Sequence, residues 1–168
     1  MTAKLIKDGQ LVNNSWELLP ADANADQLLA LNGSDVIVPL ALWLSAADSI
    51  KQRQGKTGVW LNSHEVPAAL DQDVNQIPLI ALNFPEFKDG RPFSSARELR
   101  QRLGYTGEIR AIGDVLRDQL FFMRRCGFDA YVLREDQDVD TALKAFADFH
   151  ETYQAAVDQP VPLFRRRS

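Results

Sequence analysis

The chain has 168 residues, 45% of them apolar and 25% charged, with a formal net charge of −4 and a pI of about 5.2. These values fit one globular domain with a sizeable core and argue against a bulk nucleic-acid binder. No apolar run approaches the roughly 20 residues of a membrane span, the opening MTAKLIKDGQ lacks a signal-peptide core, and the single cysteine, Cys126, excludes an internal disulfide and fits a reducing cytoplasm.

Residues 1–19 are expected to form an N-terminal β-hairpin. Lys7-Asp8-Gly9-Gln10 is a turn signal between two short β-like runs, and Trp16 is the packing anchor. A β-α repeat core is expected over residues 20–157. A short amphipathic piece surrounds Leu28, Leu29 and Leu31, and Val36 to Val38 reads as a buried strand. Pro39 suits the first turn of a helix, along which Leu40, Trp43, Leu44, Ala47 and Ile50 repeat on one face until Gly55. Gly58 to Leu61 is the next strand, followed by a helix through Val66, Ala69 and Leu70. The nearly continuous apolar run Gln76 to Leu82 fits a strand covered on both faces, as in parallel sheets.

The stretch Phe84 to Leu133 is the densest in arginine. Residues 91–125 carry a net charge of +4 without a lysine, between flanks of −5 and −3. A loop through Pro92 precedes a helix for which Ser94 or Ser95 is the expected cap, Ser95 and Glu98 fitting a capping box. Ala96, Leu99 and Leu103 are its buried stripe and Gly104 stops it. Glu108 to Ile112 is a strand, Gly113 turns the chain, and Asp114 is expected to cap a helix faced by Val115, Leu116, Gln119, Leu120, Phe122, Met123 and Cys126. Arg124 and Arg125 complement that helix's dipole. Gly127 ends it and Phe128 to Leu133 is a strand. The last helix starts within Asp136 to Asp140 and carries Leu143, Phe146, Phe149, Tyr153 and Val157. Residues 158–168 are an extended tail ending in Arg165, Arg166 and Arg167.

A hairpin followed by about five β-α units predicts an α/β fold with a mostly parallel sheet. A closed eight-stranded barrel needs roughly 250 residues, so an open or incomplete barrel-like sheet is expected. Ligands of such folds gather at the C-terminal strand ends. Two loops place polar groups there: Asp89, Arg91, Ser94 and Arg97 on one, and Asp114, Arg117, Asp118 and Gln119 on the other. They form either an anion- or partner-binding edge or a set of ion pairs that staples the two loops. Gly55-Lys56-Thr57 lacks the earlier glycine of a phosphate-binding loop, no dinucleotide fingerprint occurs, and His64 and His150 have no metal-ligand spacing. Cys126, near a helix C-terminus, reads as a core residue. Neither a metal nor a cofactor is expected.

The pairing of DGR-x-F-S-x-A-x-x-L-R (Asp89 to Arg100) with GDVLRDQL (Gly113 to Leu120), together with VPLALWL and GVWL upstream, resembles the bacterial family called domain of unknown function 934. That family carries an oxidoreductase label, and its members are usually encoded beside sulfite reductase in assimilatory sulfate reduction. The resemblance brings no catalytic residues with it. It implies an accessory protein acting with sulfite reductase; the charge, the lack of a long apolar run and the single cysteine are the grounds for expecting it in the cytoplasm, without nucleic acid or membrane as partner. An enzyme holding a small anion at the strand-end arginines and a cofactor-dependent oxidoreductase are the alternatives, and a homodimer is open.

Overall fold

The structure, a computed structural model, describes residues 4–148. The residues expected to extend the last helix and the tail (Phe149, His150, Tyr153, Val157 and Arg165 to Arg167) lie outside that range. The hairpin is β1 (Leu5–Lys7) and β2 (Gln10–Val12), paired antiparallel. Its turn places Asp8 and Gly9 at φ 52° and 79°, the two positive values that a type I′ hairpin turn requires. Then follow β3 (Glu17–Leu18), α1 (Ala25–Ala30), β4 (Val36–Pro39), α2 (Leu40–Ser45), α3 (Ala47–Gln52) and β5 (Thr57–Leu61). The remaining elements are β6 (Leu79–Phe84), α4 (Arg91–Arg97), β7 (Glu108–Gly113), α5 (Leu120–Cys126), β8 (Ala130–Val132) and α6 (Val139–Asp148).

The eight strands form one sheet in the order β2-β1-β8-β7-β6-β5-β4-β3. The six from β3 to β8 run parallel, and β1 joins β8 antiparallel. The α/β class, the mostly parallel sheet and its curled half-barrel shape agree with expectation. The connection between the two edges shows why the sheet must curl. Laid flat, eight strands would separate β2 from β3 by roughly 34 Å, yet Val12 and Glu17 are joined by Asn13 to Trp16 alone, a span of at most about 18 Å. The crossing lies over the inner face: Asn14 accepts a hydrogen bond from Arg110 Nη1 at 3.1 Å, and Trp16 packs on Ile37, Trp60, Leu79, Ala81 and Ile112.

Strand alternation separates two cores. Val36, Val38, Val59, Leu61, Ile80, Leu82, Ile109, Ala111 and Tyr131 face the helices, while the residues between them face inward. The inner face also buries Arg110, 2% exposed, whose Nε bonds Glu108 at 2.8 Å. Glu108 in turn meets Lys7 Nζ at 2.9 Å and raises that lysine's pKa. Cys126 is buried in the helix-side core.

Four local expectations are corrected. The helix foreseen from Leu40 to Ile50 divides at Ala46 (φ −118°, ψ 33°), beside a Ser45 hydroxyl that bonds back to the Leu42 carbonyl at 3.5 Å and competes with the helix ladder. The helix through Val66 to Leu70 is a single 3-10 turn, Pro67–Leu70. The helix foreseen after Ser94 or Ser95 starts at Arg91 instead. There the Asp89 carboxylate accepts the Arg91 N–H at 3.0 Å, and Pro92 has no N–H to satisfy, so a serine cap is not needed. Asp114 caps no helix, because its carboxylate is engaged by two other groups of the strand-end rim.

Candidate functional site

Four successive loops meet at the C-terminal ends of the parallel strands. The loop after β5 brings Ser63, the loop after β6 brings Phe87, Asp89 and Arg91, the loop after β7 brings Asp114 and Gln119, and the loop after β8 brings Arg134 and Asp136. Gly113 allows this convergence. It sits at φ +90°, and a Cβ there would lie 2.4 Å from both Asn83 Oδ1 and the Phe84 carbonyl. Behind the rim, Asn83 donates to Asn62 Oδ1 at 3.1 Å.

Two bonded chains of side chains make up the rim. In the first, Arg91 grips Asp89 with Nε at 3.0 Å and Nη2 at 2.7 Å, and Nη2 also donates to Ser63 Oγ at 2.9 Å. The guanidinium holds the Asp89 carboxyl well below the usual carboxylate range. The pair is asymmetric, since the Arg91 side chain is 62% exposed and that of Asp89 only 11%. In the second, Asp114 accepts the Phe87 N–H at 2.9 Å and the Arg134 guanidinium at 2.7 Å. Arg134 also grips Asp136 in a fork at 2.6 and 2.7 Å, which lowers that carboxyl to about 2. Gln119 Nε2 donates to the Phe87 carbonyl at 2.6 Å. Both backbone polar groups of Phe87 are thus held from the β7 loop, while the residue remains 45% exposed.

Of the residues expected at this edge, the structure brings together Asp89, Arg91, Asp114 and Gln119. The stapling of the two loops runs through Phe87, and Asp89 and Asp114 take different arginines. Ser94 is exposed on α4. Arg97, at the far end of α4, stacks over the Phe122 ring at 5.6 Å, where Phe122 meets Phe93 edge-on at 4.8 Å. Arg117 and Asp118 are exposed and contact each other at 3.4 Å, and the Arg117 N–H bonds Gln137 Oε1 at 2.9 Å. Ser63, Phe87 and Arg134 were not foreseen. Each directly follows a strand or lies in a strand-end loop, the one signal that could have found them. The rim arginines carry carboxylates beside them, so the rim is a mixed-charge surface.

The opposite end of the sheet holds two cavities. One of about 570 Å3 is lined by Arg100, Tyr105, Asp129 and Tyr131 among others. Burial pushes the Asp129 carboxyl up to about 6, although its Oδ1 accepts the Ile109 N–H at 2.8 Å. Burial also raises the Tyr105 hydroxyl's pKa, and that hydroxyl donates to the Ile77 carbonyl at 2.8 Å. Among the described residues no group of three or more His, Cys, Asp or Glu could hold a metal ion, and no helix is long and apolar enough to cross a membrane.

The fold and rim define a curled, mostly parallel α/β protein whose strand-end loops are bonded into one polar and aromatic platform. The chain belongs to the family described as "Bacterial protein of unknown function (DUF934)", whose sequence profile matches residues 58–164 and so includes all four rim loops. No curated protein and no solved structure matches the chain.

Proposed function

We propose that this protein is an accessory protein of assimilatory sulfate reduction that works in the cytoplasm by docking on sulfite reductase through its strand-end rim. The pathway rests on the family resemblance and the mode of action on the rim. The observation that carries the mode is the presentation of Phe87. Asp114 and Gln119, both within the GDVLRDQL motif, fix its backbone at 2.9 and 2.6 Å and leave the ring exposed. A pre-positioned aromatic beside arginines is the usual make-up of a protein-binding hot spot. A small anion would compete for Arg91 with Asp89, which already fills the Nε–Nη2 fork. This favours docking over substrate binding at this edge.

The full chain, tagged, is expected to co-purify with sulfite reductase at micromolar concentration, and Phe87→Ala is expected to weaken that association by about tenfold or more. A deletion strain is expected to fail on sulfate and sulfite and to grow on sulfide and cysteine. Normal growth on all four sulfur sources, or no complex with or without the electron donor, overturns the reading.

A further inference from the structure

The second cavity, of about 490 Å3, opens at the N-terminal ends of β5 and β6, within the size range of small-molecule sites. Trp43 from α2 and Ala47 and Ile50 from α3 form one wall, and Pro78 lines the cavity with them. Lys51, Lys56 and Asp73 also line it, and none of the three side-chain charges has a hydrogen-bond or ion-pair partner among the described residues.

A buried cation stands behind this lining. Arg53 is 7% exposed, and its guanidinium bonds only neutral groups. Nη1 donates to the Lys56 carbonyl at 3.1 Å and to Thr57 Oγ1 at 3.0 Å, and Nη2 donates to the carbonyls of Leu31 and Ser34. Its Nε is buried with no partner. Asp35, whose charge acts on Arg53, accepts the Lys56 N–H at 2.9 Å instead of the guanidinium. Thr57 Oγ1 accepts from Arg53, and its hydroxyl proton has no acceptor among the described residues, so it can donate to a guest in the cavity that Thr57 lines. The loop that carries Lys56 is fixed as well: Gly55 is at φ +96°, and a Cβ there would lie 2.4 Å from the Ser34 carbonyl. Two lysines against one carboxylate in the lining, with the buried Arg53 behind it and the apolar side chains of Trp43, Ile50 and Pro78 opposite, favour a guest with one negative charge and a flat apolar body.

We infer that this cavity binds a compact aromatic or heteroaromatic carboxylate, with its ring against Trp43, Ile50 and Pro78 and its carboxylate directed to the Thr57 hydroxyl and the Lys56 ammonium. The inference is independent of the docking role, since it rests on the opposite end of the sheet. Benzoate and indole-3-carboxylate, each beside its neutral carboxamide, are titrated into the full-length protein by ligand-observed NMR. At least one acid is expected to bind saturably, with a Kd on the order of 1 mM or tighter, and its amide about tenfold more weakly.

Two exposed charge variants are expected to move the affinity of the binding acid in opposite directions. Lys56→Gln weakens it about tenfold and Asp73→Asn tightens it severalfold, whereas a general loss of structure would weaken both. Ala47→Phe is expected to fill the cavity and abolish binding. The assignment is overturned if neither acid saturates, if acid and amide bind alike, or if the two charge variants fail to move the affinity in opposite directions.

Discussion

At the N-terminal end of the parallel strands, Arg53 and Arg100 are largely buried and bond backbone carbonyls. At the C-terminal end, Arg91 and Arg134 are exposed and bond carboxylates. Arg100 Nε reaches the Gly127 carbonyl at 3.0 Å, and its Nη1 reaches those of Tyr105 and Gly107 at 2.9 and 2.7 Å, with 16% of the side chain exposed. A carbonyl buried in a loop has no other donor at hand, so an arginine there holds chain segments together. A carboxylate at the surface can exchange its partner for water or for another protein. The same residue type is therefore structural at one end of the sheet and available for recognition at the other.

The largest expected effect tests the first half of this comparison. Arg100→Met keeps much of the stem but strips the donors from the three carbonyls, and it leaves Asp129 without the cation 3.6 Å away. The expected loss is about 3–5 kcal/mol of unfolding free energy by denaturant titration. A loss under about 1 kcal/mol would show that water replaces the guanidinium and that the two ends do not differ as argued.

The next effect concerns pH and belongs to the same end. Burial raises the Asp129 carboxyl from 3.8 to about 6. Between those values the folded protein keeps a proton that the unfolded chain has released, so stability falls as pH rises through this window and stays lowered above it. Asp129→Asn removes that titration and keeps an oxygen that can accept the Ile109 N–H. The variant is expected to match the parent near pH 4 and to exceed it by about 1 kcal/mol above pH 7, discounted for the part of the side chain that water reaches. Parallel pH profiles of the two proteins would mean that Arg100 already neutralises the carboxyl.

Much of the frame was legible because it rests on local periodicity. The hairpin turn at Asp8-Gly9, the apolar strand runs and Gly127 as a helix stop (φ 119°) each follow from short-range chemistry. Several of the missed features depend on partners distant in the chain, and others on local choices that short patterns do not rank. β3 is two residues long and is a strand only because Glu17 and Leu18 pair with Val36 and Ile37. Arg100 bonds carbonyls, which every residue type offers, so no side-chain pattern marks its role. Arg97 was grouped with Arg91 by sequence proximity, but six residues of helix carry it about 9 Å along the axis, to the ring of Phe122. The Ser95–Glu98 capping pattern was outweighed by Asp89, which starts the helix a turn earlier. Phe87 gains its meaning from Asp114 and Gln119, about thirty residues later.

The smallest expected effect on stability tests the second half of the comparison. Arg91→Ala breaks an exposed pair, and Asp89 keeps the Arg91 backbone N–H, a contact that alanine preserves. The expected change in the unfolding midpoint is small, as for exposed surface ion pairs. Arg91→Ala and Phe87→Ala are both expected to leave thermal stability close to that of the parent while weakening association with sulfite reductase. Measuring unfolding and association on the same two proteins separates the roles. Destabilisation comparable to Arg100→Met would make Arg91 another structural tie. A near-neutral fold with weakened association would assign the rim arginine to recognition, as its carboxylate partner and its exposure imply.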